Sequence, residues 1–505
     1  MAWISEEPFQ YHASVRPGNF GDILQNYLRE LLVLTKPFKC RQYVNMKSLK
    51  ASLREVRQSL GLSQAKLAEL SQIPQHLLSA HELGKAELPA TMLASLRNSL
   101  ADENKVMAVA SRRKRYRIHE YKQIEPDRNR IFRAAQTEGN AEYRKVLQEL
   151  ADGHSKEKSG LAALSLFSGC GGFSFGFSAA GFKIKAFLEL NNDLRSIYKD
   201  NFSGSIELGG DITKISDSDL QRESKNLGCV DVIFGGPPCQ GFSLSGKRQV
   251  DDPRNSLFKH YMRFVDAISP KIAILENVRL LTSMKSPTGS LVKDDICNEF
   301  KMHGYKIQCF EVNAKDFGVP QHRERVLFVA VRKDLKVLPS LPDTTHGNFS
   351  DLFSRNKAYR TFGDACSDLR FIESGGGSDD SLHLAVQHPA HVIEWLWNVP
   401  EGSSAHDNTD SRLRPPSGYN TTYKRQVWNE PASTVQTTFG MISGCRNVHP
   451  IATRSLTVRE AARIQSFPDT YLFSGNLSVV RMGIGNAVPP LLAYSVARHV
   501  QESLL

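Results

Sequence analysis

Four side chains in the central part of this chain are of the types that covalent chemistry needs. Cys239 stands in "IFGGPPCQGFSLSGKR", where an apolar strand runs into two glycines, two prolines and a thiol. Pro237 and Pro238 fix φ and remove backbone freedom, so the direction of the thiol is set before any substrate arrives. A thiolate at the start of a loop or helix, with a basic group nearby, has a depressed pKa and is the nucleophilic form. A single cysteine is by default a small buried hydrophobe; here its company argues otherwise. Glu276 ends the strand-like "KIAILEN", and Arg323 and Arg325 lie two residues apart in "QHRERV". That spacing at a strand start predicts that both guanidiniums point to one face. Gln240, Ser243 and Ser245, with Gly241 and Gly246, follow the cysteine in a polar loop reaching Asn255. The loop has the mobility and the phosphate-binding groups to close over a substrate.

A second group of residues reads as a nucleotide site. "LFSGCGGFSFGF" places Phe167, Gly169, Gly171 and Gly172 at a strand-to-helix turn, where glycines let a ligand approach the backbone. Glu189 follows Gly169 by 20 residues at the end of the next strand, a spacing that suits a carboxylate accepting from ribose hydroxyls. "GGDIT" adds Asp211 and Ile212, which could meet the edge and face of an adenine. An adenosine-containing cofactor is implied, and the glycine turn alone would fit NAD equally.

The elements that must carry these residues are short and regular. "AALSLF", "KIKAFLEL", "VDVIFGG", "KIAILEN" and "RVLFVAVR" are rich in β-branched and aliphatic residues and alternate with helix-like stretches. This predicts an α/β fold, a doubly wound and mostly parallel sheet, with the reactive groups at the carboxyl ends of its strands. The chain divides by texture into 1–45 (an extension), 46–105 (helical), 106–160 (a basic linker), 161–333 (alternating strand and helix), 334–450 (Gly-, Pro-, Ser-, Asn- and His-rich) and 451–505 (regular again).

Composition narrows the class. No apolar run approaches the roughly 18–20 residues a membrane span needs, and "MAWISEEPFQ" has no signal-peptide pattern. The eight cysteines are scattered without a CxxC pair. This points to free thiols in a reducing cytoplasm and to no metal site. Of the net charge of +11, residues 1–160 supply most, with 26 Lys/Arg against 18 Asp/Glu. "SRRKRYR" (Ser111–Arg117) suits phosphate contact, and the whole basic third suggests a polyanionic partner.

The N-terminal pattern gives that partner a form. Leu49, Leu53, Val56 and Leu60 line one helical face, Gly61 stops it, and Ser63 is placed to cap the next helix. "LSQAKLAELSQIPQHLLSAHELGK" then resembles the helix-turn-helix of phage-type repressors at Leu62, Ser63, Gln64, Leu67, Ala68, Leu78, Glu82 and Gly84. It departs at Gln72, where a turn glycine is usual, and at His81, a usually apolar position. The resemblance implies that Gln75, His76 and Ser79 begin a helix able to enter a major groove of operator DNA.

From about Leu161 to Leu505, over two thirds of the chain, the sequence resembles the DNA cytosine-C5 methyltransferases. The segments "FSGCGGFSFGFSAAGF", "GGPPCQGFSLSGKR", "DPRNSLF", "ENV", "VPQHRERVLFVAVR", "RSLTVREAARIQSFPD" and "GIGNAVPP" carry it, in the family's order. The resemblance implies a prokaryotic, DNA-associated enzyme of the S-adenosylmethionine-dependent methyltransferase fold, with 334–450 as its target-recognition domain and 451–505 returning to the catalytic domain. It implies Cys239 as the nucleophile that adds to C6 of a cytosine flipped out of duplex DNA, making C5 able to attack a sulfonium methyl. Glu276 would hydrogen-bond N3 and the exocyclic amine, a task suited to a carboxyl of raised pKa. Arg325 would hold O2, and Arg323 would orient the site and its acidic neighbour. S-adenosylmethionine would lie across Phe167, Gly169, Gly171, Gly172, Glu189, Asp211, Ile212 and Pro238, with Asn486 closing its methionine end. Gln240, Ser243 and Ser245 would clamp the flipped base. A cognate restriction endonuclease would be the functional partner, without direct contact, and the helix-turn-helix could regulate transcription. Two other readings are a repressor with a passive methylase core and an RNA cytosine methyltransferase of the same fold. The intact Cys239, Glu276, Arg323 and Arg325 set opposes the first; the long recognition region and the helix-turn-helix favour DNA over RNA.

Overall fold

The computed structural model describes residues 53–101 (except 55, 58–61, 63, 84 and 85) and 128–505 (except 134, 159, 239–256, 287–288 and 348–355). The chain divides into two compact units, Met1–Ile118 and His119–Leu505.

In the first unit, α1 (Gln64–Ser71) and α2 (Gln75–Glu82) flank a turn at Gln72–Pro74, and α3 (Ala90–Ala101) follows. Leu67, Leu78, Leu93 and Leu96 close a small core with Leu53 and Val56. Gln72 takes the left-handed φ of +57° that a glycine would adopt without strain, and its side-chain amide donates to the Glu69 carbonyl at 2.9 Å. His81 is buried, with Nδ1 3.3 Å from the Ala86 carbonyl oxygen. On α2, Gln75 and His76 are exposed and Ser79 is half-buried. Ser63, Gly84 and the basic run 111–117 lie outside the described residues.

The second unit is built on one seven-stranded sheet, β1 (Ala162–Leu166), β2 (Lys183–Leu188), β3 (Ile206–Glu207), β4 (Val232–Gly235), β5 (Ile272–Val278), β6 (Tyr305–Asn313) and β7 (Glu324–Arg332), in the order 3-2-1-4-5-7-6. The first five run parallel, and β7 is antiparallel to both β5 and β6. Parallel strands covered on both faces need apolar residues on both, which is why these segments read as continuous aliphatic runs. On one face Ala163, Phe187, Phe234 and Ile274 meet α4 (Glu138–Ser155), α5 (Gly172–Ala179) and the C-terminal helices. On the other, Leu164, Leu188, Ile233 and Leu275 meet α7 (Asp217–Leu227), α8 (Leu257–Ile268) and α9 (Val292–Met302), while α6 (Asn192–Asn201) follows β2. The expectation of a linker over 106–160 does not hold in its last part. Tyr143, Leu147, Leu150 and Ala151 recur on one side of α4 and are buried in the main core, and that burial orders a segment whose charge content suggested a tether.

Residues 334–450 have little regular structure: β8 (His346–Gly347) beside β9 (Lys357–Ala358), α10 (Phe362–Cys366) and α11 (Ala390–Leu396). Val392, Leu396, Val399, Ala405, Ile442 and Val448 form a separate small core, while Phe362, Trp428, Ala432 and Val435 join the main one. The C-terminal α12 (Val458–Ile464), α13 (Leu477–Asn486) and α14 (Pro490–His499) share the main core, with α12 against α10, α13 against α6 and α14 against α5. Among the described residues no helix is long and apolar enough to cross a membrane.

Candidate active site

A cavity of about 710 Å³ opens at the carboxyl ends of β1, β2, β4 and β5, where an open α/β sheet presents its ligand site. The turn after β1 forms one wall. Phe167 holds φ +53° and Gly169 φ +55°, and a methyl group at Gly169 would meet no atom within 4 Å. Gly169 therefore offers bare backbone to the cavity. Gly171, with φ +94°, does not line it; a side chain there would run into Tyr471 Oη at 2.7 Å and Phe202 at 2.8 Å. Its glycine serves the turn and not the cavity expected for it, because its left-handed φ and the packing of Tyr471 and Phe202 against it leave no room for a side chain. Gly172 does line the cavity, under the Val488 carbonyl.

Glu189 closes the next corner. Its carboxylate accepts the Gly169 amide at 2.8 Å and the Asn191 amide at 2.9 Å. Burial pushes its pKa up, and the two amides pull against that. Asp211 caps the 3-10 turn Ile212–Lys214 by accepting the Thr213 hydroxyl and amide, bonds that lower its pKa. Ile212, Pro238 and Asn486 complete the lining. The set suits S-adenosylmethionine: carboxylates for hydroxyls and an adenine edge, an apolar face at Ile212, and bare backbone at Gly169.

Glu276 and Arg325 occupy the opposite end of the cavity. Glu276 pairs with Leu327 and Val278 with Arg325 across the β5–β7 ladder, which makes Glu276 and Arg325 diagonal neighbours on one face. Arg325 Nε lies 2.9 Å from Glu276 Oε1, and both side chains are largely buried. Arg323 goes elsewhere. It is fully buried and does not line the cavity; Nη1 donates to the Val435 carbonyl at 3.2 Å and Nη2 to the Gly485 and Ala487 carbonyls, both at 2.9 Å. The one-face expectation for the two arginines fails because β7 begins at Glu324, so strand alternation does not extend to residue 323. Burial pushes the pKa of Arg323 down, with the charge of Arg325 adding to this and Glu276 opposing it.

Cys239, Gln240, Ser243 and Ser245 lie outside the described residues; Pro238, immediately before them, lines the cavity. Asn277, which the sequence reading passed over, donates from Nδ2 to the Pro237 carbonyl at 2.9 Å. It thereby ties the end of β5 to the backbone that delivers the cysteine. Gln321 was also passed over. It accepts the Val435 amide at 2.8 Å and donates to Gln465 Oε1 at 2.9 Å, deep in the interior. The "ENV" and "PQHRER" strings themselves were the available signal. The other cysteine near the glycine turn, Cys170, is buried, and burial pushes its thiol up to about 12, so it is no rival nucleophile.

The strand order, the cavity and the Glu276–Arg325 pair define a class, an α/β methyltransferase acting on a nucleobase. Residues 161–502 match the family of C-5 cytosine-specific DNA methylases. The chain is 39% identical over 345 residues to the Type II methyltransferase M1.HphI of Haemophilus parahaemolyticus, covering 67% of this chain and 86% of that one. It is 34% identical over 382 residues to M.DdeI of Desulfomicrobium norvegicum, covering 67% and 88%. Among solved structures, a prophage-encoded E. coli protein assigned as a DNA modification methyltransferase superposes with a TM-score of 0.54 at 26% identity, over 68% of this chain and 99% of that one. The chain belongs to the C-5 cytosine-specific DNA methylase family: it is a DNA (cytosine-5-)-methyltransferase that uses S-adenosylmethionine.

Proposed function

We propose that this enzyme methylates one cytosine in a fixed duplex sequence through a covalent Cys239–C6 adduct, protecting cytoplasmic DNA from a cognate restriction endonuclease. The observation that carries the site assignment is the Glu276–Arg325 pair, 2.9 Å apart, sharing a cavity with Pro238, the residue before Cys239. The bound cofactor supplies an electrophilic methyl group. Every other role falls to the chain. Phe167, Gly169, Gly172, Glu189, Asp211, Ile212, Pro238 and Asn486 hold the cofactor, and Gly171 shapes the turn. The Cys239 thiolate adds to C6, and Glu276, hydrogen-bonded to N3 and the exocyclic amine, favours the charge that accumulates at N3. Arg325 holds O2 of the base. Arg323 fixes the backbone on either side of Asn486. Gln240, Ser243 and Ser245 close over the flipped nucleotide, whose extrusion costs a few kcal/mol. Once C5 is methylated, loss of its proton and β-elimination free the thiolate. The exposed Gln75 and His76, with Ser79, suit base contact in an operator, through which the N-terminal unit would regulate transcription.

Bisulfite sequencing of plasmid DNA from cells expressing the wild type, with Cys239→Ala as control, tests this. Protection of cytosines in one sequence context, absent in the variant, is the expected result. No protection from a folded, cofactor-supplied enzyme would overturn it.

A further inference from the structure

Residues 128–155 precede the family's matched span, which begins at residue 161, yet they are built into the methylase unit. One end rests on α5, the helix that follows the glycine turn. A methyl group on Gly153 would lie 2.6 Å from the Ala179 carbonyl oxygen, so α4 and α5 are in close backbone contact there. The His154 ring stacks on Phe175 at 4.5 Å, with Nδ1 2.9 Å from Ser178 Oγ. Midway, Tyr143 is buried and donates to the Arg463 carbonyl at 2.6 Å.

The other end grips residues 334–450. Trp428 Nε1 donates to the Ala135 carbonyl at 2.8 Å, and its ring meets Phe132 edge-on at 5.3 Å. Asn140 Nδ2 donates to the Asp364 carbonyl at 2.9 Å and to Asp368 Oδ1 at 2.8 Å. Arg128 is 9% exposed; its guanidinium lies 4.0 Å over the Trp397 ring and 3.7 Å from Glu373, and it hydrogen-bonds the Trp397 carbonyl and the Thr453 hydroxyl. A buried cation with a stacked face and several acceptors is satisfied only while those acceptors hold one arrangement.

We propose that residues 128–155 form a strut that fixes the recognition region against the catalytic sheet, with Arg128 and Trp428 as positioning residues for sequence choice. The functional methylase of this chain therefore starts near residue 128. A strut with one end on α5 and the other on Trp397 and Trp428 sets the distance between the cofactor-side wall and the surface that reads bases. Loosening it leaves the main core folded while the separate small core of 334–450 shifts against it. The cost then falls on recognition of DNA and not on the chemical step. This rests on the reading of 334–450 as the region that selects the target.

Full-length Arg128→Ala and Trp428→Phe test it. The second keeps a six-membered aromatic ring in the core and removes the indole N–H with the five-membered ring that carries it, a smaller loss than deleting the buried guanidinium, so it serves even where the first fails to fold. Steady-state kinetics on duplexes carrying the wild-type context and single-mismatch contexts are the readout. For Arg128→Ala, KM for DNA rises about tenfold and mismatched sites gain methylation, with kcat and KM for S-adenosylmethionine within about twofold; for Trp428→Phe the same split is smaller. A specific wild type with equally specific variants overturns the strut. So does a proportional fall in every constant together with melting temperature, the mark of a merely structural role. Wild-type methylation without any fixed context overturns the recognition reading, and the strut with it.

Discussion

Replacing Gly236 with alanine should slow methyl transfer without loosening the cofactor, and the size of the effect follows from one distance. A Cβ built on Gly236 would stand 2.9 Å from Glu276 Oε2 and 3.4 Å from the Glu276 carbonyl oxygen. Carbon–oxygen contacts settle at about 3.3 Å or more, so the carboxylate must retreat by roughly 0.4 Å. It cannot swing freely, because Arg325 Nε holds its other oxygen at 2.9 Å. Gly236 has no left-handed φ, so alanine adds no backbone strain and the perturbation is confined to Glu276. A misplacement of about 1 Å can cost about 10²-fold in rate; roughly 0.4 Å should cost about 5–10-fold, or about 1 kcal/mol in the barrier. Single-turnover transfer of a labelled methyl group to duplex DNA measures the rate, and calorimetry measures S-adenosylmethionine affinity. In a Glu276→Ala background the obstructed carboxylate is gone, and the alanine at 236 should add no further loss. An unchanged single-variant rate, or a full additional loss in the double variant, would refute the argument that Glu276 is the group displaced.

Three further outcomes are expected. Glu189→Gln turns one of the two oxygens that accept the Gly169 and Asn191 amides into an NH₂ facing an N–H donor. S-adenosylmethionine affinity should fall about tenfold by calorimetry, about 1.4 kcal/mol; an unchanged Kd would remove Glu189 from the cofactor site. Burial, helped by the charge of Arg454, lowers the pKa of His388 to about 4, and its Nε2 accepts the Ser455 amide at 3.1 Å. The unfolded chain then binds a proton near pH 6.5 that the folded chain refuses. The resulting stability is complete above pH 6.5 and is lost toward pH 4, at roughly 1 kcal/mol per pH unit after screening. Thermal melts of His388→Asn should fall less steeply with acid than those of the wild type, and parallel curves would contradict this. Gln72→Gly relieves the left-handed φ of +57° and should stabilise the first unit by about 0.5–1 kcal/mol. Amide exchange across α1 and α2 in the full chain would register it as slower exchange, and faster exchange would count against the strain.

The strands were legible because a sheet buried on both faces leaves a plain record. Segments such as Ile272–Leu275 carry aliphatic residues at every position, and the glycines, Glu276 and the prolines at their carboxyl ends marked the ligand side. What lay hidden depends on contacts that local pattern does not encode. Arg323 and Arg325 are two residues apart, yet the beginning of β7 falls between them, and one faces the cavity while the other is buried behind it. The apolar stripe Tyr143, Leu147, Leu150 of α4 was present in the sequence. It was masked by the surrounding Lys, Arg and Glu, which solvate its opposite side. Asn277 reads as a bystander beside Glu276 until its amide is seen holding the Pro237 carbonyl.

Arg323 also explains why so distant a C-terminal segment completes the cavity. A fully buried guanidinium is costly unless its donors are satisfied, and here the carbonyls of Val435, Gly485 and Ala487 accept from its two Nη groups while Nε has no hydrogen-bond partner among the described residues. Two of these flank Asn486 at the cavity wall; the third belongs to the segment closing 334–450. Gln321, two residues before the arginine, accepts the Val435 amide and donates to Gln465 after α12. The turn into β7, the end of the 334–450 excursion and the last helices thus share one buried polar layer directly behind Glu276 and Arg325. A lysine at 323 would carry one compact ammonium in place of a fork and could not span both sets of carbonyls. The guanidinium thereby couples the cavity wall at Asn486 to the segment that closes 334–450, so that neither can shift without unpairing a buried charge.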